Sequence, residues 1–211
     1  MKFTTRRSAA LAALATTAAL ALAGCSSGDD GGSGGGDTGG GGEDVSVVML
    51  PKNLGNPYFD TSTKGAKAAT EEFGGTFSEV GPDTASPDAQ VSFINTAAQQ
   101  GTQARIVSAN DPKAICDALD EARAAGTKVV TFDSDTDPAC RDLFINQASS
   151  EGIAKVQVDL IAEQIGGSGQ IAILSASANA TNQNAWIELM EEELAASHPD
   201  IELVEVVYGD D

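Results

Sequence analysis

Short apolar runs alternate with longer amphipathic stretches from Val45 to the end of the chain. The runs hold four to eight residues and are rich in Val and Ile, which is typical of buried strands. The stretches between them repeat apolar residues every three to four positions, as in the face formed by Ile115, Leu119 and Ala122. The pattern therefore predicts strands that alternate with helices.

The predicted elements form one regular series. The predicted strands are 45–50, 76–80, 104–108, 128–132, 143–146, 170–174 and 201–208. The predicted helices are 57–73, 87–100, 112–125, 151–165 and 182–197. Strands and helices in this order form right-handed βαβ units, which build mainly parallel sheets with helices on both faces. The fold class is therefore α/β.

The first 24 residues have the pattern of a bacterial secretory signal peptide. Lys2, Arg6 and Arg7 precede an apolar stretch at 9–23 that is too short to span a bilayer as a mature helix. Residues 22–25, LAGC, resemble the lipobox of bacterial lipoproteins, so we predict cleavage before Cys25 and lipidation of its thiol. The alternative is an ordinary secretory signal in which Cys25 has no role, and Sec and Tat export both remain open.

Residues 26–44 predict a flexible tether after the lipidated Cys25. They include ten glycines, five acidic residues and no apolar side chain. Such a segment buries too little surface to offset its chain entropy. We expect it to span about 25 Å between the membrane and the folded domain.

The charge of the chain excludes some partners. Without residues 1–24 it holds nine basic and 31 acidic residues, a formal net charge of −22. A surface of this sign repels nucleic acid and anionic lipid headgroups. We therefore expect no nucleic-acid partner, and contact with the membrane only through the lipid anchor.

Two cysteines, Cys116 and Cys140, remain when Cys25 is assigned to the lipid. Outside the cytoplasm such a pair is more often bridged than free. A disulfide here would close a loop of about 25 residues and stabilise the fold by about 3.5 kcal/mol. The alternative is two buried free thiols.

Polar and aromatic side chains follow most of the predicted strands. Because ligands of parallel sheets bind at the carboxyl ends of the strands, these residues are candidate ligand contacts. Amides and carboxylates bond hydroxyl groups, and aromatic rings cover the apolar face of a sugar. Each residue taken alone is also a common helix cap or turn former. The set comprises Lys52, Asn56, Tyr58, Phe59, Asn110, Asp111, Asp133, Asp135, Gln147, Asn179, Asn182 and Gln183.

Enzyme and nucleotide-binding patterns are missing from the sequence. The first strand is followed by PKNLGNPYF instead of a glycine-rich phosphate loop. The one histidine, His198, lies at a helix end, so no nucleophile, base and orienting group can be assembled. We therefore expect neither catalysis nor a cofactor.

Trp186 shares helical spacing with Met190 and Leu194, which favours a place in the core.

An acidic run imitates the start of a calcium-binding EF-hand loop. Asp133, Asp135 and Asp137 have the spacing of its first ligands. The loop would carry Pro138 in place of the sixth-position glycine and Phe144 in place of the twelfth-position glutamate. We therefore expect no metal site.

Five segments resemble the periplasmic sugar-binding proteins of ABC importers, which have the type I solute-binding fold. They read LPKNLGNPYF, GPDTASPDAQVSFINT, VSANDP, VVTFDSDTDPACRDLFINQASSE and ATNQNAWIELM. The resemblance covers residues 45–211 and is nearest to the rhamnose-binding and autoinducer-2-binding branch. It is specific because TFDSD, FINQA and TNQNAW occur in this order.

The resemblance implies a set of ligand-binding residues. Autoinducer-2 binders tend to carry Asp at the position of Asn182, so a neutral, rhamnose-like sugar ranks first and autoinducer-2 second. The cysteine pair also lies where that branch places one. The implied ligand contacts are Lys52, Asp133, Asn182 and Gln183, the aromatic pair Tyr58 and Phe59, and, as less close matches, Asn56, Ser108 and Gln147.

The resemblance also implies an architecture and a function. Two lobes, 45–149 and the start of a second at 150–211, would close around a sugar and deliver it to an ABC permease and its ATPase. The protein would sit on the extracytoplasmic face of the cell membrane. A ligand-sensing subunit of a signalling system is the alternative. Because family members return to both lobes later in the chain, we expect this second lobe to be incomplete.

Overall fold

The computed structural model describes residues 45–209, which lie in one compact unit. Within this range no helix has the length and apolar character needed to cross a membrane. The predicted signal peptide, Cys25 and the tether lie outside the described residues. The strands are β1 (Ser46–Leu50), β2 (Thr76–Glu79), β3 (Ala104–Val107), β4 (Lys128–Phe132), β5 (Leu143–Ile145), β6 (Gly169–Ser175) and β7 (Ile201–Tyr208). The helices are α1 (Pro57–Glu72), α2 (Pro87–Gln99), α3 (Cys116–Ala124), α4 (Ser150–Ile165) and α5 (Thr181–Ser197).

All predicted elements are present, and one boundary is wrong. Helix α3 begins at Cys116, four residues after the predicted start at Pro112. The carboxylate of Asp111 accepts hydrogen bonds from the backbone N–H groups of Lys113 and Ala114, both at 2.8 Å. These are the bonds of a helix cap, but the Cys116 N–H bonds the Lys113 carbonyl only three residues earlier, at 3.0 Å, so residues 112–115 form tight turns before the α-helix begins.

Five parallel strands form the first sheet, in the order β2-β1-β3-β4-β5. Helices α2 and α3 cover one face, where Ile94 and Leu119 pack with Val107 in a fully buried apolar core. Helix α1 covers the other face, and its Phe59 ring meets the Phe132 ring of β4 edge to face, with centroids 6.1 Å apart. Alternating residues of the central strands thus face two different helix layers.

Strands β6 and β7 form a second, parallel sheet. Helices α4 and α5 share one apolar cluster with it, in which Val158 and Met190 pack against Ile171. Leu174, which alternates with the inward residues of β6, is 80% exposed. Within the described residues, α4 and α5 therefore pack on one face of β6 and β7, whereas helices cover both faces of the five-stranded sheet.

A disulfide joins Cys116 at the start of α3 to Cys140, with the Cα atoms 5.3 Å apart. Cys140 ends a short 3-10 helix, Pro138–Cys140, in the connection between β4 and β5. The bond therefore ties this connection, which also carries Asp133, to the rigid helix layer.

Candidate functional site

A cavity of about 220 Å³ lies where the carboxyl ends of β1, β4 and β5 meet the first turns of α1 and α5. This is the edge at which parallel sheets bind ligands. A sugar-binding site needs a few converging polar groups and some ring surface, and the lining supplies both. The lining residues are Lys52, Asn56, Tyr58, Phe59, Asp133, Gln147, Asn182, Gln183 and Trp186.

Asp133 is the centre of the polar network. Its backbone has a φ of 57°, in the left-handed region, and the residue is only 7% exposed. One carboxylate oxygen accepts from the Ser108 hydroxyl at 2.8 Å. The other accepts from the side-chain amides of Asn182 at 2.9 Å and Gln147 at 3.4 Å. Donors from three separate parts of the chain thus converge on one carboxylate.

The lining is balanced in formal charge. Lys52, 2% exposed, contributes one positive charge and Asp133 one negative charge, and the other lining side chains are formally neutral. A charged ligand would leave such a buried site with an unbalanced charge, which is costly. The site therefore suits a neutral ligand that is rich in hydroxyl groups.

Aromatic rings form one wall of the cavity. The rings of Tyr58 and Phe59 meet edge to face, with centroids 5.2 Å apart. Burial, and then the nearby negative charge of Asp133, raise the pKa of the Tyr58 phenol, so it stays protonated at neutral pH and can donate a hydrogen bond. Asn56 caps α1 by accepting from the Tyr58 N–H at 3.0 Å, and so holds this pair in place.

A buried glutamine supports the loops that carry the site. Gln90 of α2 donates to the carbonyls of Pro51 (3.1 Å) and Ser108 (2.8 Å), and its oxygen accepts from the Asn110 N–H at 2.9 Å. Asn110 in turn donates to the carbonyl of Lys52 at 3.0 Å. Sequence reasoning missed Gln90 because helical spacing only places it on the buried face of α2, with Ile94 and Ala97. The spacing does not show which groups its side chain bonds.

Not every residue that follows a strand lines the cavity. Ser108 lies behind Asp133 and bonds its carboxylate. Asp135 pairs with Arg141, while Asp111 and Asn179 border a separate groove of about 460 Å³. Their places depend on side-chain direction, which strand order alone does not predict.

Trp186 combines two roles. As expected, it packs against the apolar cluster of α4 and α5, but it also lines the cavity, which sequence reasoning missed. The available signal was helical spacing, because Trp186 lies four residues after Asn182 and hence on the same face of α5.

An apolar groove and a cluster of two carboxylates and a histidine lie elsewhere on α4, β6 and α5, and neither resembles a sugar site. A groove of about 400 Å³ along α4 and β6 is lined mainly by apolar side chains such as Ile161 and Leu174. Asp159 of α4, Glu193 of α5 and His198, which directly follows α5, are close enough to share a metal ion. The Lys155 ammonium already bonds Asp159 at 3.0 Å and Glu193 at 3.2 Å, so a cation occupies that position.

Comparisons with known proteins point in the same direction. A family model described as a periplasmic binding protein domain matches residues 47–211. The crystal structure of a sugar ABC transporter from Actinomyces odontolyticus is 53% identical over 79% of this chain and 54% of that chain, with a TM-score of 0.62.

Two further structures hold small ligands. An ABC transporter solute-binding protein from Clostridium phytofermentas with bound L-rhamnose is 37% identical over 80% of this chain and 53% of its own, with a TM-score of 0.77. LsrB from Clostridium saccharobutylicum in complex with AI-2 is 32% identical over 77% of this chain and 53% of its own, with a TM-score of 0.71. This chain thus spans about half the length of the solved proteins that it matches.

Proposed function

Because the chain belongs to the periplasmic binding protein family, whose members bind solutes and are not enzymes, we propose that it is the substrate-binding protein of a sugar ABC transporter. Its ligand is a neutral monosaccharide of the rhamnose type. The observation that carries this proposal is the convergence of Ser108, Gln147 and Asn182 on the carboxylate of Asp133, which lines a charge-balanced cavity.

The chemistry of the cavity matches a sugar ring. Hydroxyl groups both donate and accept, so they can bond the Asp133 carboxylate and the amides of Asn182 and Gln183. The rings of Tyr58 and Trp186 offer apolar surface to the C–H face of the same ligand. The relative that holds L-rhamnose supports this ligand class.

Autoinducer-2 is the second candidate ligand. The relative in complex with AI-2 is 32% identical and has the same fold. The resemblance implies Asp at the position of Asn182 in many autoinducer-2 binders, and the amide in this chain adds no second negative charge beside Asp133. A neutral sugar therefore remains the first choice.

The proposed mechanism is capture by closure. Residues 45–149 form one lobe and residues from 150 onward contribute to the other, with the cavity between them. Ligand hydroxyls that bond Asp133 of the first lobe and Asn182 of the second favour the closed form. An ABC permease, driven by its ATPase, would accept the sugar from this closed form.

The proposed location is the extracytoplasmic face of the cell membrane. A lipid on Cys25 would hold the protein there, and residues 26–44 would let the binding lobes reach the permease. A ligand-sensing subunit would share the same lobes and anchor. Permease and ATPase genes beside this one would favour transport, and a histidine-kinase gene would favour sensing.

A thermal-shift screen of the purified chain tests the ligand class. L-rhamnose, other neutral sugars, polyols, autoinducer-2 and sugar phosphates should be compared at pH 7. At a hundred times its dissociation constant, the correct ligand stabilises the fold by about 2.7 kcal/mol and raises the melting temperature. A shift with autoinducer-2 alone would select the second candidate, whereas a shift with sugar phosphates alone would refute a neutral ligand.

A further inference from the structure

Helix α5 begins with a threonine that bonds a different part of the fold. The N-cap residue, Ala180, is buried and has no side chain that can cap the helix. The next residue, Thr181, donates its hydroxyl hydrogen to the backbone carbonyl of Asp135 at 3.2 Å, 46 residues earlier in the chain. Because Thr181 follows the N-cap position, its hydroxyl is not a capping group of α5. Its hydrogen bond instead joins α5 to the loop after β4.

The acceptor of this bond is held rigidly in place. The Asp135 carboxylate receives two parallel bonds from the Arg141 guanidinium, at 2.7 and 2.8 Å, and one from the Thr136 N–H at 2.9 Å. The Thr131 hydroxyl bonds the same carboxylate. Arg141 also stacks over the Phe144 ring, 5.6 Å from its centroid. The peptide that carries the Asp135 carbonyl therefore has little freedom.

The contact lies beside the sugar cavity without belonging to it. None of Thr181, Asp135 and Arg141 is among the cavity-lining residues. Asn182, the neighbour of Thr181, does line the cavity and bonds Asp133 at 2.9 Å. A contact made by Thr181 therefore brings the ligand-binding first turn of α5 to Asp133 without using any group that the ligand needs.

We infer that the Thr181 hydroxyl and the Asp135 carbonyl form a latch that stabilises the closed arrangement of the lobes independently of the sugar. The latch raises the fraction of molecules that are ready to bind, and the apparent dissociation constant is inversely proportional to that fraction. Both effects rest on the two-lobed mechanism of the proposed function, but only the effect on affinity depends on the identity of the ligand. Thr181 is thus a positioning residue.

The decisive variants change one hydroxyl group. Thr181→Val keeps the shape and removes the donor, whereas Thr181→Ser keeps the donor. Thr96→Val is the matched control, because Thr96 is exposed and its hydroxyl bonds the carbonyl of Ser92, one turn earlier in the same helix, α2. If Thr181→Val loses its far-UV circular dichroism, Thr181→Ala supplies the same test with a good helix former.

Closure of the lobes can be measured without attaching a fluorescent label to the protein. The chain has one tryptophan, Trp186, which lines the cavity between the lobes. Without sugar, acrylamide should quench Trp186 more strongly in Thr181→Val than in the wild type, Thr181→Ser and Thr96→Val. With L-rhamnose, calorimetry should give a two- to tenfold higher dissociation constant for Thr181→Val, about the worth of one neutral hydrogen bond.

Different results would refute the latch and the rhamnose-type ligand. If Thr181→Val, or Thr181→Ala in its place, matches the wild type in quenching, the latch does not exist. The same conclusion follows if Thr181→Ser behaves like Thr181→Val, because the hydroxyl is then not the cause. If the wild type does not bind L-rhamnose but quenching follows the hydroxyl, the latch stands and the rhamnose-type ligand is refuted.

Discussion

Replacement of Asp133 by asparagine removes one charge from the centre of the cavity and leaves its shape almost unchanged. Asp133 has a φ of 57°, and asparagine tolerates this left-handed conformation better than other side chains do. Alanine would add backbone strain to the loss of the carboxylate. Asp133→Asn therefore tests the charge and the hydrogen bonds with little change in the backbone.

The size of the effect follows from the bonds that the carboxylate makes. A hydrogen bond to a charged group contributes about 1.5 to 3 kcal/mol, and one between neutral groups about 0.5 to 1.5 kcal/mol. The change to an amide thus costs about 1 to 1.5 kcal/mol per ligand hydroxyl. For two hydroxyls the loss is about 2 to 3 kcal/mol, which weakens binding about 30- to 150-fold.

Isothermal titration calorimetry with the strongest ligand of the thermal-shift screen measures this change. Asp200→Asn is the matched control, because Asp200 is exposed and precedes β7, at the opposite end of the second sheet from the cavity. It should bind like the wild type. Equal affinity of wild type and folded Asp133→Asn would refute the reasoning and leave Asp133 only the role of forming the turn after β4.

Three further predictions concern the disulfide, acid stability and the anchor. Cys116→Ser should lower the free energy of unfolding by about 3.5 kcal/mol, and a chemical denaturation curve that matches the wild type would contradict this. The Val129 N–H, and then Lys128 and Arg123, hold the Asp142 pKa below its ordinary value of 3.8. That stabilisation is present above pH 3.8 and is lost as the pH falls through the lowered value. On acidification the melting temperature should therefore fall less for Asp142→Asn than for the wild type. Cys25→Ala should move the protein from the membrane to the soluble fraction, and persistent membrane fractionation would refute lipidation.

The sequence by itself determined the kinds of element, their order and the edge of the sheet at which most of the cavity-lining residues gather. Strand β4 has the predicted bounds, Lys128–Phe132, because its apolar run and the Gly126 before it are local signals. Apart from the start of α3, each predicted boundary lies within one residue of the structure. The residues around Asp133 were also predictable as a group, because the carboxyl ends of parallel strands meet at one edge.

Only the tertiary structure decided which of these side chains meet. Asp135 follows the same strand as Asp133, yet it pairs with Arg141 outside the cavity, and Trp186 reaches the cavity from a helix whose period predicted only core packing. The Thr181 bond joins residues 46 positions apart. Helical and strand periods report on neighbours within a few residues, whereas such contacts depend on how two separate layers pack and on the direction of each side chain.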